Sequence, residues 1–245
     1  MANVKLSTKA VGSIVKIKVN GAAKDFIIVH QGLPSSAYDA SCNGVWVVMK
    51  DIYTTMKWDG SNNDYLNSDM TAYLNGTFIS LIDADIRNAI KQVKIPYTNY
   101  SNNNVMSGSN GLSCKVFLLS GTEVGFSGVS YMNTEGAKLS YFGSASKRVA
   151  YNGSSAAEWW LRSPRTDSSG RVWYVRSDGS NAAGSTTTPA VFAPLSYFPL
   201  RSWSLTTARS ARTLPRPSRL IPRIWGRRTH PSISTTPLPM PTATP

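Results

Sequence analysis

The sequence predicts an α+β domain built from short antiparallel strands, two short helices and long irregular loops. Of the 245 residues only 16% are charged and 41% are hydrophobic, and the uncharged polar and small residues are abundant. This composition favours a loop-rich β or α+β domain over a helical bundle. Short β-rich runs and two stretches with helical features supply the strands and helices of that class.

The strands are predicted from runs that are rich in β-branched and other apolar residues. These runs are residues 13–19, 25–30, 45–50 and 115–120. The first two runs are joined across Asn20-Gly21, a dipeptide suited to the positive φ angles of a tight hairpin turn. A hairpin is therefore expected near the start of the chain.

Two helices are predicted in the next part of the chain. Ser68 is placed to cap a short helix over residues 69–75, which Gly76 would end. A second helix is expected over residues 79–93, because apolar side chains recur there at helical spacing. The positions on this expected buried face are Ile82, Ile86, Ala89, Ile90 and Val93.

The most informative stretch is WWLRSP at residues 159–164, followed by VWYVRSDG at residues 172–179. Three of the seven tryptophans lie here, which is too much apolar surface for a linker. On two strands, alternation predicts one side facing the core and the other facing solvent. The predicted core set is Trp159, Leu161, Trp173 and Val175, and the predicted solvent set is Trp160, Arg162, Tyr174 and Arg176.

Several blocks occur in an order that resembles a known family. The blocks are YLNS at 65–68, YLNGTF at 73–78, VFLLS at 116–120 and the two blocks that begin at 159 and 172. Over residues 10–188 the chain resembles an uncharacterised bacterial and phage domain family recognised by its WWLRSP block. That family is similar in turn to C-type-lectin-like domains of the formylglycine-generating-enzyme type, and to variable proteins of diversity-generating retroelements. The resemblance implies a C-type-lectin-like fold and ligand binding, but no particular reaction.

The resemblance also implies where a ligand would bind. In a lectin-like domain, small polar segments such as 165–171 and 180–185 lie on the ligand face. The expected ligand-binding residues are Arg165, Asp167, Trp173, Tyr174, Arg176 and Asn181. Rigid aromatic and short polar side chains are the types that build adaptable binding surfaces. The last four residues would be diversified if the chain is a retroelement target, and the alternative is an ordinary β-turn surface.

Four residues of the WWLRSP block are interpreted as structural: Trp159, Trp160, Arg162 and Pro164. A guanidinium beside tryptophans can stack on the rings and donate to loop carbonyls. The alternative for Arg162 is direct contact with a ligand.

No sequence motif points to catalysis, a cofactor or a metal. The chain shows no glycine-rich phosphate loop, metal-ligand pair or nucleophile elbow. The sulfatase-modifying relatives of the lectin-like fold depend on paired cysteines near the C-terminal part of the domain, and this chain has none after Cys114. We therefore expect no enzyme activity, no cofactor and no calcium requirement. Cys42 and Cys114 are interpreted as reduced and structural, with a disulfide or a reactive thiol as alternatives.

The leading hypothesis for function is a non-enzymatic module that recognises a protein or glycan on a host or cell surface. One alternative is an enzyme or enzyme-associated domain on a formylglycine-generating-enzyme-like fold, and another is polyanion binding through the arginine-rich tail. Lysines interrupt every apolar run of residues 1–19, and no window approaches the length of a membrane span, so neither a standard signal peptide nor a span is predicted. The expected location is a phage virion, with tail proteins as partners, or the bacterial cytoplasm.

The C-terminal part differs sharply in composition, so a domain is predicted over 1–188 and a disordered tail over 189–245. Residues 201–245 hold eight arginines, eight of the fourteen prolines and no acidic residue. Such a segment cannot bury enough surface to offset its ordering entropy.

A frameshift is the second interpretation of the tail. The family usually closes with a GVRPA strand, which is absent here. From Pro189 onwards, the codons can be read in another frame, in which each triplet starts at the third base of the preceding codon. The triplets of that frame can encode Gly, Val, Arg, Pro and Ala in that order, with one extra residue between Gly and Val. The closing strand would then have been lost from this reading frame. Sequencing the gene across residues 186–189 tests this, and finding no alternative frame that completes the domain would contradict it.

Overall fold

A computed structural model describes residues 4–188, 190–192, 198–200 and 204–205. At residues 4–5 and in the last three segments only the backbone is described. The chain divides into two units, Met1–Thr207 and Ala208–Pro245, and the second lies wholly outside the described residues. The segment with the predicted disorder and frameshift, residues 189–245, also lies mainly outside the described residues. The disorder, the frameshift and the domain boundary at residue 188 therefore stay predictions.

Short strands in antiparallel pairs dominate the described residues. The strands are β1 (Val4–Lys5), β2 (Ile14–Val19), β3 (Ala22–Gly32), β4 (Gly44–Met49), β5 (Thr54–Met56), β6 (Val93–Ile95), β7 (Tyr97–Thr98), β8 (Val105–Met106), β9 (Leu112–Cys114), β10 (Ala150–Asn152), β11 (Ser155–Ala157), β12 (Trp159–Pro164), β13 (Arg171–Val175), β14 (Asn181–Ser185), β15 (Ala190–Phe192), β16 (Phe198–Leu200) and β17 (Ser204–Leu205). The largest sheet has the order β16-β4-β3-β2, and the next has the order β12-β13-β14.

Helical structure in the described residues is sparse. The α-helices are α1 (Asp69–Tyr73), α2 (Ile79–Leu81) and α3 (Ala84–Ala89), and a π-helical turn (Leu74–Phe78) joins α1 to α2. Single 3-10 turns occur at Leu6–Thr8, Ala40–Cys42 and Ala145–Arg148. The predicted α+β, C-type-lectin-like class is therefore wrong, since the chain is β-rich with one helical segment of 13 residues. None of the described helices has the length and apolar character needed to cross a membrane.

The predicted hairpin at the start of the chain is confirmed. Asn20 and Gly21 have φ angles of 49° and 73°, which is the left-handed region that a tight hairpin turn requires. The turn pairs β2 with β3 from Val19↔Ala22 to Ile14↔Ile27. In β2 buried and exposed side chains alternate, so one face of this edge strand covers the core.

The two predicted helices have different bounds in the structure. Ser68 does cap α1, because its side chain accepts a hydrogen bond from the Thr71 backbone, but the helical segment continues through Gly76 to α2. The second predicted helix is interrupted at Ile82, whose extended backbone bridges to Val19 of β2. Helical periodicity alone could not reveal this break, because a tertiary backbone contact causes it.

The predicted strand at 115–120 is wrong, although its apolar side chains are buried. Side chains satisfy several of its backbone groups in place of a neighbouring strand. Asn75 Oδ1 accepts from the Lys115 and Val116 amides, and the Tyr65 hydroxyl accepts from the Leu118 amide. A buried segment can be irregular when such partners are available.

The expected alternation of core and solvent residues in β12 is also wrong. All six side chains from Trp159 to Pro164 are buried. The register with β13 shifts between Trp160 and Pro164, which is an irregularity of the β-bulge type. Such a bulge re-aims side chains, and here it lets both faces of the strand pack into protein. The consequence is that Arg162 lies inside the core.

Candidate functional site

A cleft of about 380 Å³ lies between two loops, residues 99–104 and 165–170. The first loop joins β7 to β8, and the second joins β12 to β13. The lining residues are Asn63, Tyr100, Ser101, Asn103, Arg165, Thr166, Asp167, Ser168 and Ser169. The volume falls in the range of small-ligand sites, and the lining includes two of the predicted ligand-binding residues.

The central feature of the cleft is the ion pair between Arg165 and Asp167. Arg165 Nε donates to Asp167 Oδ1 at 2.7 Å, and its Nη2 donates to Oδ2 at 2.9 Å. The guanidinium also lies over the rings of Tyr131, at 5.3 Å, and Trp173, at 5.8 Å. The hydrogen bond from Arg165 lowers the pKa of Asp167, and the same bond raises the pKa of Arg165. The two side chains thus form a fixed pair with no net charge at neutral pH.

A buried amide, Asn63, holds the loop that carries this ion pair. Its side-chain Nδ2 donates to the carbonyls of Ser168 at 2.7 Å, Arg171 at 2.8 Å and Arg165 at 3.2 Å. The Asn63 backbone amide donates to the Ser169 carbonyl at 2.8 Å. Because these acceptors are spread from residue 165 to residue 171, Asn63 holds several points of the loop at once.

The turn that positions Asn63 is organised by the buried carboxylate of Asp59. Its Oδ2 accepts from the backbone amides of Ser61 and Asn62, and its Oδ1 accepts from the backbone amide of Asp69. Burial by itself would raise the pKa of Asp59, but these hydrogen bonds lower it to about 2. Asp59 is therefore ionised over the whole physiological range.

Next to the Arg165 side chain lies a residue with a strained backbone, Tyr131, which is not itself part of the cleft lining. Its φ angle is 64°, which is uncommon for a residue with a side chain. Its carbonyl accepts from the Thr166 amide at 3.1 Å and from Trp173 Nε1 at 3.3 Å, and these bonds hold the conformation. Tyr131 is 53% exposed, and its ring lies beside the Arg165 guanidinium.

The loop at 99–104 is tied to its surroundings through Asn103, which also has a positive φ angle of 56°. Its Nδ2 donates to the Thr166 carbonyl at 3.1 Å, and its own carbonyl accepts from Asn133 Nδ2 at 2.6 Å. The nearby Tyr100 is 41% exposed. The lining of the cleft therefore offers one exposed aromatic side chain, Tyr100, between loops that are held by hydrogen bonds.

A fully buried ion pair between Arg162 and Glu123 lies in the core. Arg162 precedes Arg165 of the cleft by three residues. The guanidinium donates to both carboxylate oxygens of Glu123, at 2.6 and 2.8 Å. It also donates to the carbonyls of Pro96 at 3.0 Å and Leu118 at 2.9 Å. Burial alone would lower the pKa of Arg162, but the facing Glu123 carboxylate raises it. The pair is therefore charged and enclosed.

Two further groups satisfy the Glu123 carboxylate. The Tyr38 hydroxyl donates to Oε1 at 2.8 Å, and the Ser120 amide donates to Oε2 at 2.8 Å. Burial raises the pKa of Tyr38, so its hydroxyl stays protonated and acts as this donor. A buried charge is tolerated when its hydrogen-bonding positions are filled in this way.

A second buried carboxyl, Glu135, connects the ion-pair region to both cleft loops. Its Oε1 accepts from the Thr98 amide at 2.6 Å, directly before the first loop. Its Oε2 accepts from the Ser163 hydroxyl, two residues before Arg165. We define the buried network as Tyr38, Glu123, Glu135, Arg162 and Ser163. It ties together the two elements that carry the cleft.

Burial raises the pKa of Glu135 above its ordinary value of 4.5. A raised pKa in the folded state adds stability below pH 4.5, and this contribution is lost as the pH rises through the folded-state pKa. We expect the free energy of unfolding of Glu135→Gln to fall less with rising pH than that of the wild type. Each unit of pKa difference corresponds to about 1.4 kcal/mol.

Urea unfolding of both proteins from pH 4.5 to about pH 8 measures this difference. The arrangement of Glu135 described above would be contradicted if the two pH profiles ran parallel.

Three of the six predicted ligand-binding residues lie at or behind the cleft. Arg165 and Asp167 line it, and Trp173 is 7% exposed behind Arg165 and Tyr131.

The other three predicted ligand-binding residues lie elsewhere. Tyr174 is half-buried and packs edge-to-face on Trp160, with ring centroids 5.6 Å apart. Arg176 and Asn181 flank the turn that joins β13 to β14, at the opposite end of the hairpin from the cleft. The structure therefore does not bring all six residues together on one surface.

The four residues interpreted as structural are all buried. Trp159 Nε1 donates to the Arg148 carbonyl at 2.8 Å, and Trp160 contacts Tyr174. Pro164 pairs in register with Val172 at the end of β12. The remaining member, Arg162, donates to two loop carbonyls as described above.

Sequence reasoning missed several residues that build the site. The missed residues are Tyr38, Asp59, Asn63, Tyr100, Asn103, Glu123, Tyr131 and Glu135. One signal was present for Glu123, which lies close to the apolar run at 116–119 and is one of few acidic residues in this part of the chain. A lone carboxylate beside such a run indicates a buried partner.

The two cysteines lie outside the cleft lining. Both are buried and free, and burial raises the pKa of Cys42 to about 12 and also raises that of Cys114. Raised values disfavour the reactive thiolate form. Within the described segments, no group of three or more His, Cys, Asp and Glu residues could hold a metal ion.

Comparison with known families places the chain in one of them. A family model with the description Domain of unknown function (DUF6273) matches residues 43–212, which is more than half of the chain. The chain belongs to the DUF6273 family. All residues that line the cleft of this DUF6273 domain fall inside the matched region. The expectation of an uncharacterised domain family is confirmed in this form, and neither a curated protein nor a solved structure matches the chain.

Proposed function

We propose that this DUF6273 domain is a non-enzymatic recognition module that binds a protein or glycan ligand in the cleft between loops 99–104 and 165–170. The observation that carries the proposal is the Arg165 guanidinium, which is fixed by Asp167 and by the Tyr131 and Trp173 rings. Side chains that are already fixed lose little conformational entropy when a ligand binds.

The chemistry of the cleft favours a ligand with neutral polar groups. The Arg165–Asp167 pair has no net charge, and the other lining residues supply hydroxyl, amide and tyrosine side chains. Exposed tyrosine rings offer flat apolar surface at low entropic cost, and short polar groups beside them offer hydrogen bonds. Both a saccharide and a peptide backbone present matching groups.

We further propose that the ligand belongs to a host or bacterial cell surface, and that the domain acts on a phage tail or in a bacterium. The support for this setting is the order of the YLNS, YLNGTF and WWLRSP blocks, which resembles bacterial and phage proteins.

A binding screen with two matched variants tests the assignment of the site. The full chain is screened on a glycan array and on an array of bacterial surface proteins, and hits are measured by biolayer interferometry. We expect Arg165→Gln to weaken binding about tenfold or more, because a charge-assisted contact is lost. Arg176→Gln is the control, since it removes the same charge at the far end of the hairpin.

The control should change affinity by less than about twofold. The site assignment is wrong if Arg176→Gln weakens binding and Arg165→Gln does not.

A further inference from the structure

A second concavity, of about 530 Å³, lies on a different part of the domain. We call it the helix groove, and it is formed by Leu66 with the helical segment that follows it, by α3 with the residues after it, and by β9 with Lys115. Its lining residues are Leu66, Thr71, Asn75, Ile79, Arg87, Asn88, Gln92, Leu112, Ser113, Cys114 and Lys115. None of the predicted ligand-binding residues is among them.

The helix groove has apolar side chains in its lining, and a hydrogen-bonded asparagine joins two of its walls. Leu66 is 43% exposed, and Ile79 is partly buried against the core. Asn75, in the π-helical turn, donates to the Val116 carbonyl at 2.9 Å and accepts from the Lys115 amide at 2.9 Å. This side chain connects the helical segment to the residues that follow β9, so the groove is a preformed feature.

The charged side chains that line the helix groove are all positive. Arg87 and Lys115 are its charged lining residues, and no carboxylate is in the lining. Among the described residues neither side chain is in an ion pair. Arg87 uses Nη1 to donate to the Ser80 carbonyl at 3.1 Å, which leaves its other nitrogens for a ligand. The carboxylates closest to Arg87 along the chain are those of Asp85, which is exposed in α3, and of Asp83, which caps α3 and accepts from the Asp85 amide; neither forms an ion pair with Arg87.

The rim of the groove suits an extended chain. Asn88, Gln92 and Ser113 are exposed around it. Gln92 Nε2 donates to Ser113 Oγ at 3.0 Å, and the Gln92 side-chain carbonyl and the Asn88 side-chain amide can exchange hydrogen bonds with a peptide backbone. β9 pairs with β6, and the described residues contain no second strand beside it. Peptide grooves between a strand and a helix combine backbone hydrogen bonds with pockets for side chains.

We propose that the helix groove binds an extended acidic peptide segment of a partner protein. Its carboxylates would meet Arg87 and Lys115, and its apolar side chains would cover Leu66 and Ile79. This interaction is independent of the cleft, because the two surfaces share no lining residue.

A pair of labelled peptides tests the proposal with the full chain. The probe is a fluorescein-labelled peptide of alternating glutamate and leucine. The control peptide has the same length and label, with lysine in place of every glutamate. We expect fluorescence anisotropy to show binding of the acidic probe only. The double variant Arg87→Gln/Lys115→Gln should weaken that binding about tenfold or more, and added salt should weaken it in the wild type.

The control is Lys18→Gln/Lys24→Gln, which removes the same charge from the β2–β3 hairpin and leaves the arginine-rich tail unchanged. It should bind within about twofold of the wild type. Leu66→Ser should also weaken binding with no change in charge, and circular dichroism confirms that each variant is folded. No binding of the acidic probe, or equal losses in the two double variants, would overturn the proposal.

Discussion

Replacing Arg162 by methionine is expected to lower the free energy of unfolding by about 3–5 kcal/mol. The change leaves the Glu123 carboxylate buried without its cation and removes the donors to the Pro96 and Leu118 carbonyls. Removing one partner of a buried pair costs far more than the pair contributes in net stability, because the remaining charge stays out of water. Urea unfolding at neutral pH measures the loss.

Two further variants separate charge from packing. Arg176→Met removes an exposed arginine and should change the free energy of unfolding by less than about 0.5 kcal/mol. The double variant Arg162→Met/Glu123→Leu should recover part of the loss, since no charge is left buried. A loss below about 1 kcal/mol for Arg162→Met would contradict the role assigned to the buried network.

Replacing Asn63 by alanine is expected to cost about 2–3 kcal/mol and to loosen the loop at 165–170. The side-chain amide donates to three carbonyls of this loop segment, and alanine leaves all three without that donor. Because Arg165 is in this loop, its ion pair with Asp167 would lose its fixed position. Hydrogen exchange followed by mass spectrometry should show faster exchange of the 165–171 amides.

A matched control for this change is Asn88→Ala, which truncates an exposed asparagine on α3. It should change the free energy of unfolding by less than about 0.5 kcal/mol and leave the exchange rates of the loop amides unchanged. Unchanged exchange of the loop in Asn63→Ala would show that Asn63 is not its anchor.

Features governed by local chemistry could be predicted from the sequence. The Asn20-Gly21 turn depends on φ angles that these two residues adopt easily, and the Ser68 cap depends on a side chain three residues from its partner. The segment at 115–120 could not be predicted, because its apolar pattern is equally compatible with a strand. Its irregular path depends on Asn75 and Tyr65, about 40 and 53 residues away.

The same distinction between local and long-range features applies to the candidate site. The family resemblance implies Arg165 and Asp167 as ligand-binding residues, and the structure places both in the lining of the cleft, while their binding of a ligand stays a prediction. The residues that fix them come from distant parts of the chain, with Asn63 separated from Arg165 by 102 positions. Arg162 and Glu123 are 39 positions apart. Such contacts depend on the tertiary fold, and no local pattern in one sequence encodes them.

The buried network gives the cleft a physical basis. Glu135 joins the residue before the first loop to the strand before the second, and Glu123 holds Arg162 in that same strand. The burial of the whole WWLRSP block is thus explained by its position, because the block leads directly into the loop at 165–170. The same arrangement accounts for the burial of Glu123, Glu135 and Arg162.

A cocrystal structure of this DUF6273 domain with a ligand from the binding screen tests the central claim most directly. The ligand is predicted to occupy the cleft, with polar atoms within hydrogen-bonding distance of Arg165 or Asp167 and a face against the Tyr100 ring. A ligand bound at the far end of the hairpin, against Arg176 and Asn181, with the cleft empty, would contradict it.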